Sequence, residues 1–228
     1  MYRDLSHSLR TGTPTYPGDP GVSVDPAATH EADGYSVHSV ELGSHAGTHV
    51  DAPRHTEPDG ATLDDRAVGE WVLDARLIDL TPCEPREAIG PDAFPETLDP
   101  AVDLLVVRTG WADTWGTDAY RDHPFLTPAF AERCVDAGVG VGLDAFGPDP
   151  TASAETDTGA TDRDTGPTER VDEPTGFPAH HALLGADLPI VENLRNLAGL
   201  PDRFTCYAFP LPLAEGDGAP ARVVAETA

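Results

Sequence analysis

The sequence predicts an α/β fold with a mixed β-sheet or barrel-like core and flanking helices. Segments typical of strands outnumber segments typical of helices, and the connections between them are mostly long loops. The chain contains 23 prolines and 22 glycines in 228 residues, which fits many turns and loops. A chain of this length can bury a substantial core, so one domain over residues 1–228 is expected.

The amino-terminal part supplies a turn-rich stretch and then a strand. Residues 13–20 hold three prolines and a glycine, which exclude a helix there. Tyr16 in this stretch either helps to line a pocket or belongs to a rigid surface loop. From 35 to 43, the residues Val37, Val40 and Leu42 predict the strand that leads into the histidine-rich segment. His38 lies on this strand and is not counted as a ligand.

The middle of the chain predicts core strands and one helix. Residues 71–80 and 102–108 are rich in β-branched and aliphatic residues and predict two buried strands. Thr127 is a candidate N-cap, Pro128 fits the first helical turn and Gly138 a helix stop, so 127–138 should be helical. The apolar run at 139–144 predicts a further strand, and it ends at Asp144.

The segment 149–173 has a different composition. It holds eight acidic and two basic residues among small and polar ones, and Val171 is its only large aliphatic residue. Such a segment cannot bury enough apolar surface to fix its own structure. It predicts an exposed, disordered-type acidic insertion within the single domain. After it, the sequence predicts a short helix at 180–184 and strands at 188–191, 204–213 and 223–225.

Residues 45–55 hold three histidines and one aspartate, and the chemistry of the protein is expected here. Imidazole and carboxylate groups are ligands that Zn²⁺ and Mn²⁺ accept, and no cysteine lies nearby to suggest a structural zinc site. The segment therefore predicts a catalytic divalent metal, Zn²⁺ or Mn²⁺.

Spacing indicates which side chains can share an ion. His49 and Asp51 are two residues apart, about 7 Å along a strand, so they point to the same side and can hold one ion. His45 lies about 13 Å from His49 in an extended chain and joins them only if the backbone bends, which Gly47 permits. A helical arrangement of the two histidines is the alternative, but the glycine and the nearby Pro53 disfavour it.

The pattern His45-x-Gly47-Thr48-His49-x-Asp51-x-Pro53-x-His55 resembles the H-x-G-T-H-x-D-x-P-x-H signature of the metal-dependent cyclase family, which includes bacterial kynurenine formamidase and isatin hydrolase. Every fixed position is matched, although Thr56 stands where an aromatic residue often follows the last histidine. The resemblance covers almost the whole chain. It implies the cyclase-family fold, hydrolysis of a small amide and a tendency to form homodimers.

The resemblance also implies the roles of the site residues. His55 is the proton shuttle; it lies beyond Pro53, further from the other ligands, and an imidazole with an ordinary pKa of about 6.5 suits acid–base work. His180 precedes a Leu-Leu pair and lies twelve residues before a Glu-Asn-Leu sequence, as in the family's later metal-binding stretch, and this count excludes His181. Five ligands to one or two ions are thereby implied: His45, His49, Asp51, His180 and Glu192.

Two tryptophans are candidates for substrate binding. Residues 108–111 resemble the family's R-T-G-W segment, and Trp111 and Trp115 could stack on an aromatic substrate. The alternative is that both belong to the core, where tryptophan is more common.

Composition narrows the class of partner. The net charge is -26, with 40 acidic residues, and all 14 basic residues are arginines. Acidic residues spread along the whole chain are typical of proteins that work in multimolar salt, where charge repulsion is screened. Such a surface repels nucleic acid and anionic lipid, so a small-molecule substrate and no nucleic-acid or membrane partner are expected. The chain shows no secretion signal and no long apolar run, so a cytoplasmic location is predicted.

Three functions are therefore considered. The first is a metal-dependent hydrolase of a small amide, with N-formylkynurenine as the family example. The second keeps the metal site but acts on an isatin-type cyclic amide or a lactone, or performs a cyclisation. The third is a non-catalytic binder of a metal or small molecule, against which the presence of His55 argues, since His55 is not needed for metal binding.

Overall fold

The computed structural model describes residues 1–151 and 173–227. Within these residues the chain forms twelve strands and three α-helices. The strands are β1 (Tyr2–Asp4), β2 (Ser23–Ala28), β3 (Val37–Glu41), β4 (His49–Asp51), β5 (Val72–Asp79), β6 (Ala88–Ile89), β7 (Leu104–Arg108), β8 (Phe125–Leu126), β9 (Gly140–Leu143), β10 (Ile190–Glu192), β11 (Arg203–Pro210) and β12 (Gly218–Glu226). The helices are α1 (His30–Asp33), α2 (Pro128–Ala137) and α3 (Pro178–Gly185).

Seven strands close into a barrel. Their order is β12-β11-β5-β7-β9-β10-β4, and β4 pairs back to β12. The four strands β5, β7, β9 and β10 run parallel to one another, whereas the remaining pairs are antiparallel. The predicted mixed, barrel-like α/β core is thus confirmed.

The barrel strands separate two apolar cores because successive side chains point to opposite faces. On β7, Leu104 and Val106 belong to the cluster inside the barrel, whereas Leu105 and Val107 belong to the cluster under α2 and α3. All four are fully buried. Burial on both faces explains why this strand is continuously apolar instead of alternating.

The helices lie outside the barrel. The predicted helix at 127–138 is confirmed as α2: the Thr127 side chain accepts a hydrogen bond from the Phe130 amide, and Gly138 ends the helix with φ of 67°. No helix in the two described ranges has the length and apolar character needed to cross a membrane.

The strand predicted at 35–43 exists as β3, but it does not lead directly into the metal-binding segment. It pairs with β2 in a separate two-stranded sheet, and all five of its residues are exposed. The strand that carries the ligands is the short β4. The valines of β3 match a strand pattern equally well in a projecting hairpin, so sequence could not separate the two cases.

The ends of the predicted acidic insertion belong to the folded domain, which corrects the boundaries 149–173. Asp149 and Thr151 are 4% and 1% exposed, and Glu173 forms an ion pair with Arg86. Asp149 and Thr151 can be buried because each has hydrogen-bonding partners, and composition alone does not reveal such contacts. The rest of the predicted insertion, 152–172, lies outside the described residues.

Candidate metal centre

Three of the predicted ligands lie on β4 and on the bend before it. His49 and Asp51 share one face of β4, and His49 Nε2 lies 3.2 Å from Asp51 Oδ1. Gly47 bends the chain with φ of 65°, and a side chain there would collide with Leu9. The bend brings His45 Nδ1 to 2.8 Å from Asp51 Oδ1. The backbone bend expected from the sequence therefore brings His45 to the pair.

The other two predicted ligands, Glu192 and His180, lie next to these three because β10 pairs with β4 and α3 packs nearby. β10 runs antiparallel to β4 with Glu192 opposite His49, and Glu192 Oε2 lies 3.2 Å from His49 Nε2. His180 projects from α3, and its Nε2 lies 3.2 Å from Glu192 Oε1 and 3.8 Å from Asp51 Oδ2. The structure thus brings all five predicted ligands together. His181 is exposed and contacts Glu57 instead.

Hydrogen bonds from neighbouring residues orient the predicted ligands on β4 and β10. His49 Nδ1 donates to the Gly47 carbonyl at 2.8 Å, which leaves Nε2 without a proton to face the site when the ring is neutral. Asn193 donates to the same carbonyl, and Thr48 donates to the Asn193 carbonyl at 2.6 Å. Tyr120 donates to the Asn193 side chain from the core. The bend and β10 are therefore locked to each other.

These residues fit a divalent ion. His49 Nε2 and Asp51 Oδ2 are buried, yet neither makes a well-directed hydrogen bond to the described residues, although His49 Nε2 has carboxylate oxygens of Asp51 and Glu192 3.2 Å away. Buried polar atoms rarely lack a well-directed hydrogen bond, so both atoms are suited to bind an ion. Donor atoms within 4.8 Å of one another form three sets among the described residues. His45-His49-Asp51 and Asp51-His180-Glu192 share the buried Asp51, whereas His45-His55-Asp217 is the more exposed set. Imidazole and carboxylate donors suit Zn²⁺ or Mn²⁺.

Without a metal, the imidazoles of the three histidines predicted as ligands hold protons, because their pKa values are raised. Burial alone would lower the pKa of His180, but hydrogen bonds with Asp149 and Glu192 outweigh it and raise the pKa to about 10. For His45, burial is likewise outweighed by Asp217 and Asp51, and its pKa rises to about 9. Protonated imidazoles thus balance the buried carboxylates of the metal-free protein.

Metal binding at neutral pH should therefore release protons. A metal ligand must offer a free nitrogen lone pair, so an ion must displace protons from His45 and His180 at any pH below their raised pKa values. We expect affinity for Zn²⁺ to increase as pH rises from about 6 to 8, with about one proton released per displaced histidine. Titration calorimetry in buffers of different ionisation enthalpy measures both; a flat affinity with no buffer dependence would contradict this expectation.

Asp217 is a site residue that the sequence analysis missed. It lies in the turn before β12, whose Gly218 pairs with Asp51 of β4. Asp217 Oδ2 is 3.1 Å from His45 Nε2 and 3.8 Å from His55 Nδ1, and these imidazoles hold the pKa of Asp217 well below its usual range. Its only sequence signal is a Gly-Asp-Gly turn, which is common in loops that have no catalytic function.

His55 lies beside the ligand cluster in a short 3₁₀ helix that ends at His55. Its ring is 3.9 Å from that of His45 and 5.7 Å from that of His180, measured between centroids. It is 32% exposed, whereas the His49 side chain is 2% exposed. His55 is therefore the histidine of the cluster that is most accessible to a small molecule.

A cavity of about 250 Å³ opens above these groups. Tyr16, proposed from the sequence as a pocket residue, lines it together with Phe146 and Phe177, which the sequence analysis did not single out. The cavity floor includes His49, His180 and Glu192. The aromatic walls and polar floor can hold a small aromatic molecule with its polar end towards the ligands.

The two tryptophans do not line this cavity among the described residues. Trp111 is buried, and its Nε1 donates to the Tyr120 carbonyl. Trp115 stacks on His7 with a centroid distance of 4.1 Å and contacts Phe146, which does line the cavity. Both positions favour the core alternative over direct substrate stacking.

Residues 3–150 match the family named Cyclase, described as "Putative cyclase". The chain is also 31% identical to a kynurenine formamidase of Salinibacter ruber, over 97% of this chain and 95% of that protein. The chain belongs to the Cyclase family. Another relative, a kynurenine formamidase of Geobacillus thermodenitrificans, is 29% identical over 96% of this chain and 94% of the relative.

Solved structures of the Cyclase fold agree with the barrel described above. An isatin hydrolase bound to the product analogue thioisatinate has a TM-score of 0.79 at 22% identity, with 98% of this chain and 91% of that chain covered. A potential metal-dependent hydrolase with cyclase activity has a TM-score of 0.73 at 25% identity, with 99% and 96% covered. Together with the curated relatives, these comparisons support the predicted metal-dependent amidohydrolase.

Proposed function

We propose that this Cyclase-family protein hydrolyses N-formylkynurenine to kynurenine and formate. The observation that carries the proposal is the position of His55, an accessible imidazole next to a buried cluster of metal-type ligands at the floor of an aromatic cavity. The two buried donor sets that share Asp51 can hold metal without His55, which belongs only to the more exposed set with His45 and Asp217. The full-length similarity to proteins named kynurenine formamidase supports this choice of substrate.

The proposed cofactor is Zn²⁺ or Mn²⁺, held by the five predicted ligands. The two donor sets that share Asp51 support the binding of two ions, with a single ion as the alternative. A bound ion supplies Lewis acidity, which lowers the pKa of water and polarises a carbonyl group. The buried positions of His49 and Asp51 exclude bulk water from the ligand side of the site.

The residues of the chain supply binding and proton transfer. Tyr16, Phe146 and Phe177 would contact the aromatic ring of the substrate and direct its formamide towards the floor. His55 would accept a proton as water attacks and donate it to the departing amine, which makes it the general base and then the general acid. Asp217, whose Oδ2 lies 3.8 Å from His55 Nδ1, would stabilise the protonated ring between the two transfers by charge attraction.

An isatin-type cyclic amide is the alternative substrate. The aromatic cavity can also hold fused rings, and Thr56, which lines it, leaves more room than the aromatic residue that often follows this histidine. Hydrolysis of a cyclic amide requires the same water activation and the same proton transfer. A lactone or a cyclisation would use the same groups.

The substrate is tested by assaying the metal-loaded protein in high salt against N-formylkynurenine, isatin and a simple lactone. Preferred turnover of N-formylkynurenine is expected, measured as release of formate and kynurenine. Turnover of isatin alone would show that the isatin-type cyclic amide is the substrate instead. Tight metal binding with no turnover of the three would favour a non-catalytic binder.

Asp217→Asn should lower the rate more than the metal content. The neutral amide cannot stabilise a protonated His55, so we expect a rate loss of roughly tenfold, smaller than for loss of the histidine itself. Metal analysis and kcat measurement separate the two effects. Glu215→Gln, an exposed change on the same turn, is the matched control and should leave the rate unchanged. Full activity of Asp217→Asn would remove Asp217 from the mechanism.

We also propose that the protein forms a homodimer in the cytoplasm. The family tendency supports the homodimer, which size-exclusion chromatography with light scattering would test. The net charge of -26 and the absence of lysine support a salt-rich cytoplasm, and we expect activity to increase with salt concentration.

A further inference from the structure

Asp149 connects the loop after β9 to the metal centre. Its carboxylate accepts three hydrogen bonds from α3: from the Ala179 amide at 3.0 Å, the His180 amide at 2.9 Å and His180 Nδ1 at 2.7 Å. Asp149 and His180 are 4% and 8% exposed. The contact is therefore shielded from water and directed at one ligand.

We propose that Asp149 is a positioning residue that fixes the tautomer and the ring angle of His180, so that its Nε2 faces Asp51 and Glu192. An ionised carboxylate can only accept hydrogen bonds, so His180 Nδ1 must carry a proton and Nε2 is the nitrogen left to bind metal. A carboxylate that accepts a hydrogen bond from the other ring nitrogen fixes the orientation of a metal-binding histidine and raises its basicity. The inference deepens the proposed function, since it concerns the same metal site.

The loop around Asp149 is held on several sides. Leu126 donates to the Pro148 carbonyl, Arg86 donates to the Thr151 carbonyl, and the Thr151 hydroxyl is 2.8 Å from His123 Nε2. Gly147 packs so closely that a Cβ atom there would lie 2.7 Å from Glu192 Oε1. The loop therefore fixes the carboxylate of Asp149 independently of His180, which a positioning residue requires.

Asparagine cannot replace this carboxylate. Its side chain has one oxygen acceptor, whereas the three donors of α3 surround both oxygens of Asp149. If the amide group faces His180 Nδ1, the ring must accept there and carries its proton on Nε2, which then cannot bind metal. If the amide is turned over, it faces the Ala179 N–H donor instead. Either orientation should weaken metal binding by His180, although the asparagine side chain has nearly the same volume as aspartate.

The test compares Zn²⁺ affinity, measured by competition with a chelating dye, in Asp149→Asn and in Asp144→Asn. Asp144 is the matched control: it is also buried and accepts three hydrogen bonds, from Thr109 and Gly110, but it does not line the cavity. We expect the Kd of Asp149→Asn to rise roughly 10- to 100-fold and that of Asp144→Asn to match the parent protein. If Asp149→Asn does not fold, Asp149→Ser is used, with the same expected loss.

A double substitution distinguishes positioning from general stability. If Asp149 acts through His180, adding Asp149→Asn to His180→Ala should weaken Zn²⁺ binding no further. Equal affinities of the parent and Asp149→Asn, equal losses in Asp149→Asn and Asp144→Asn, or additive losses in the double variant would each overturn the inference. Absence of Zn²⁺ binding by the parent would instead reject the proposed metal site, and this inference with it.

Discussion

His49→Ala and Asp51→Ala should each lose the bound metal together with the activity. Both side chains are almost fully buried at the centre of the cluster, and Asp51 belongs to both donor sets. Loss of a direct ligand should cost more than the roughly 10- to 100-fold in affinity that an outer partner costs. Metal analysis of the purified variants and turnover of N-formylkynurenine measure the two losses.

His38→Ala is the matched control for these variants. His38 lies on the exposed strand β3, outside the barrel, so its removal should change neither the metal content nor the rate. A His49→Ala or Asp51→Ala protein with full metal content and normal turnover would reject the ligand assignment.

His55→Ala should retain its metal near the parent stoichiometry while the rate falls roughly 10²- to 10⁴-fold, the range for loss of one acid–base group. His55 is not needed to complete either donor set around Asp51, and it is the most accessible histidine of the cluster. Excess metal should not restore the rate, because mass action cannot replace a proton donor. Metal analysis and kcat measurement on the same preparation test this expectation.

His180→Ala should behave differently from His55→Ala. It should lose metal affinity before it loses intrinsic activity, and added metal should restore part of the activity, because a lost ligand lowers affinity. His181→Ala is its control, since that histidine is exposed and contacts Glu57. A metal-free His55→Ala beside a fully loaded His180→Ala would show that the two roles are exchanged, and the mechanism proposed above would fail.

The sequence by itself determined the elements whose signals are local. Thr127 and Gly138 fix the ends of α2 through capping, and the apolar run of β7 reflects burial on both faces. The spacing of His49 and Asp51 places both on one side of an extended strand, which depends only on the period of the backbone. These features arise between residues a few positions apart, so they can be recognised without the fold.

The tertiary structure alone decided which distant residues meet. Glu192 lies opposite His49 because β10 pairs with β4, and Asp217 approaches His55 because the start of β12 pairs with the other edge of β4. The composition of its segment placed Asp149 in an exposed insertion, yet it is buried against His180. Closure of the barrel brings these carboxylates to the histidines across long stretches of chain, and no local pattern records such a contact.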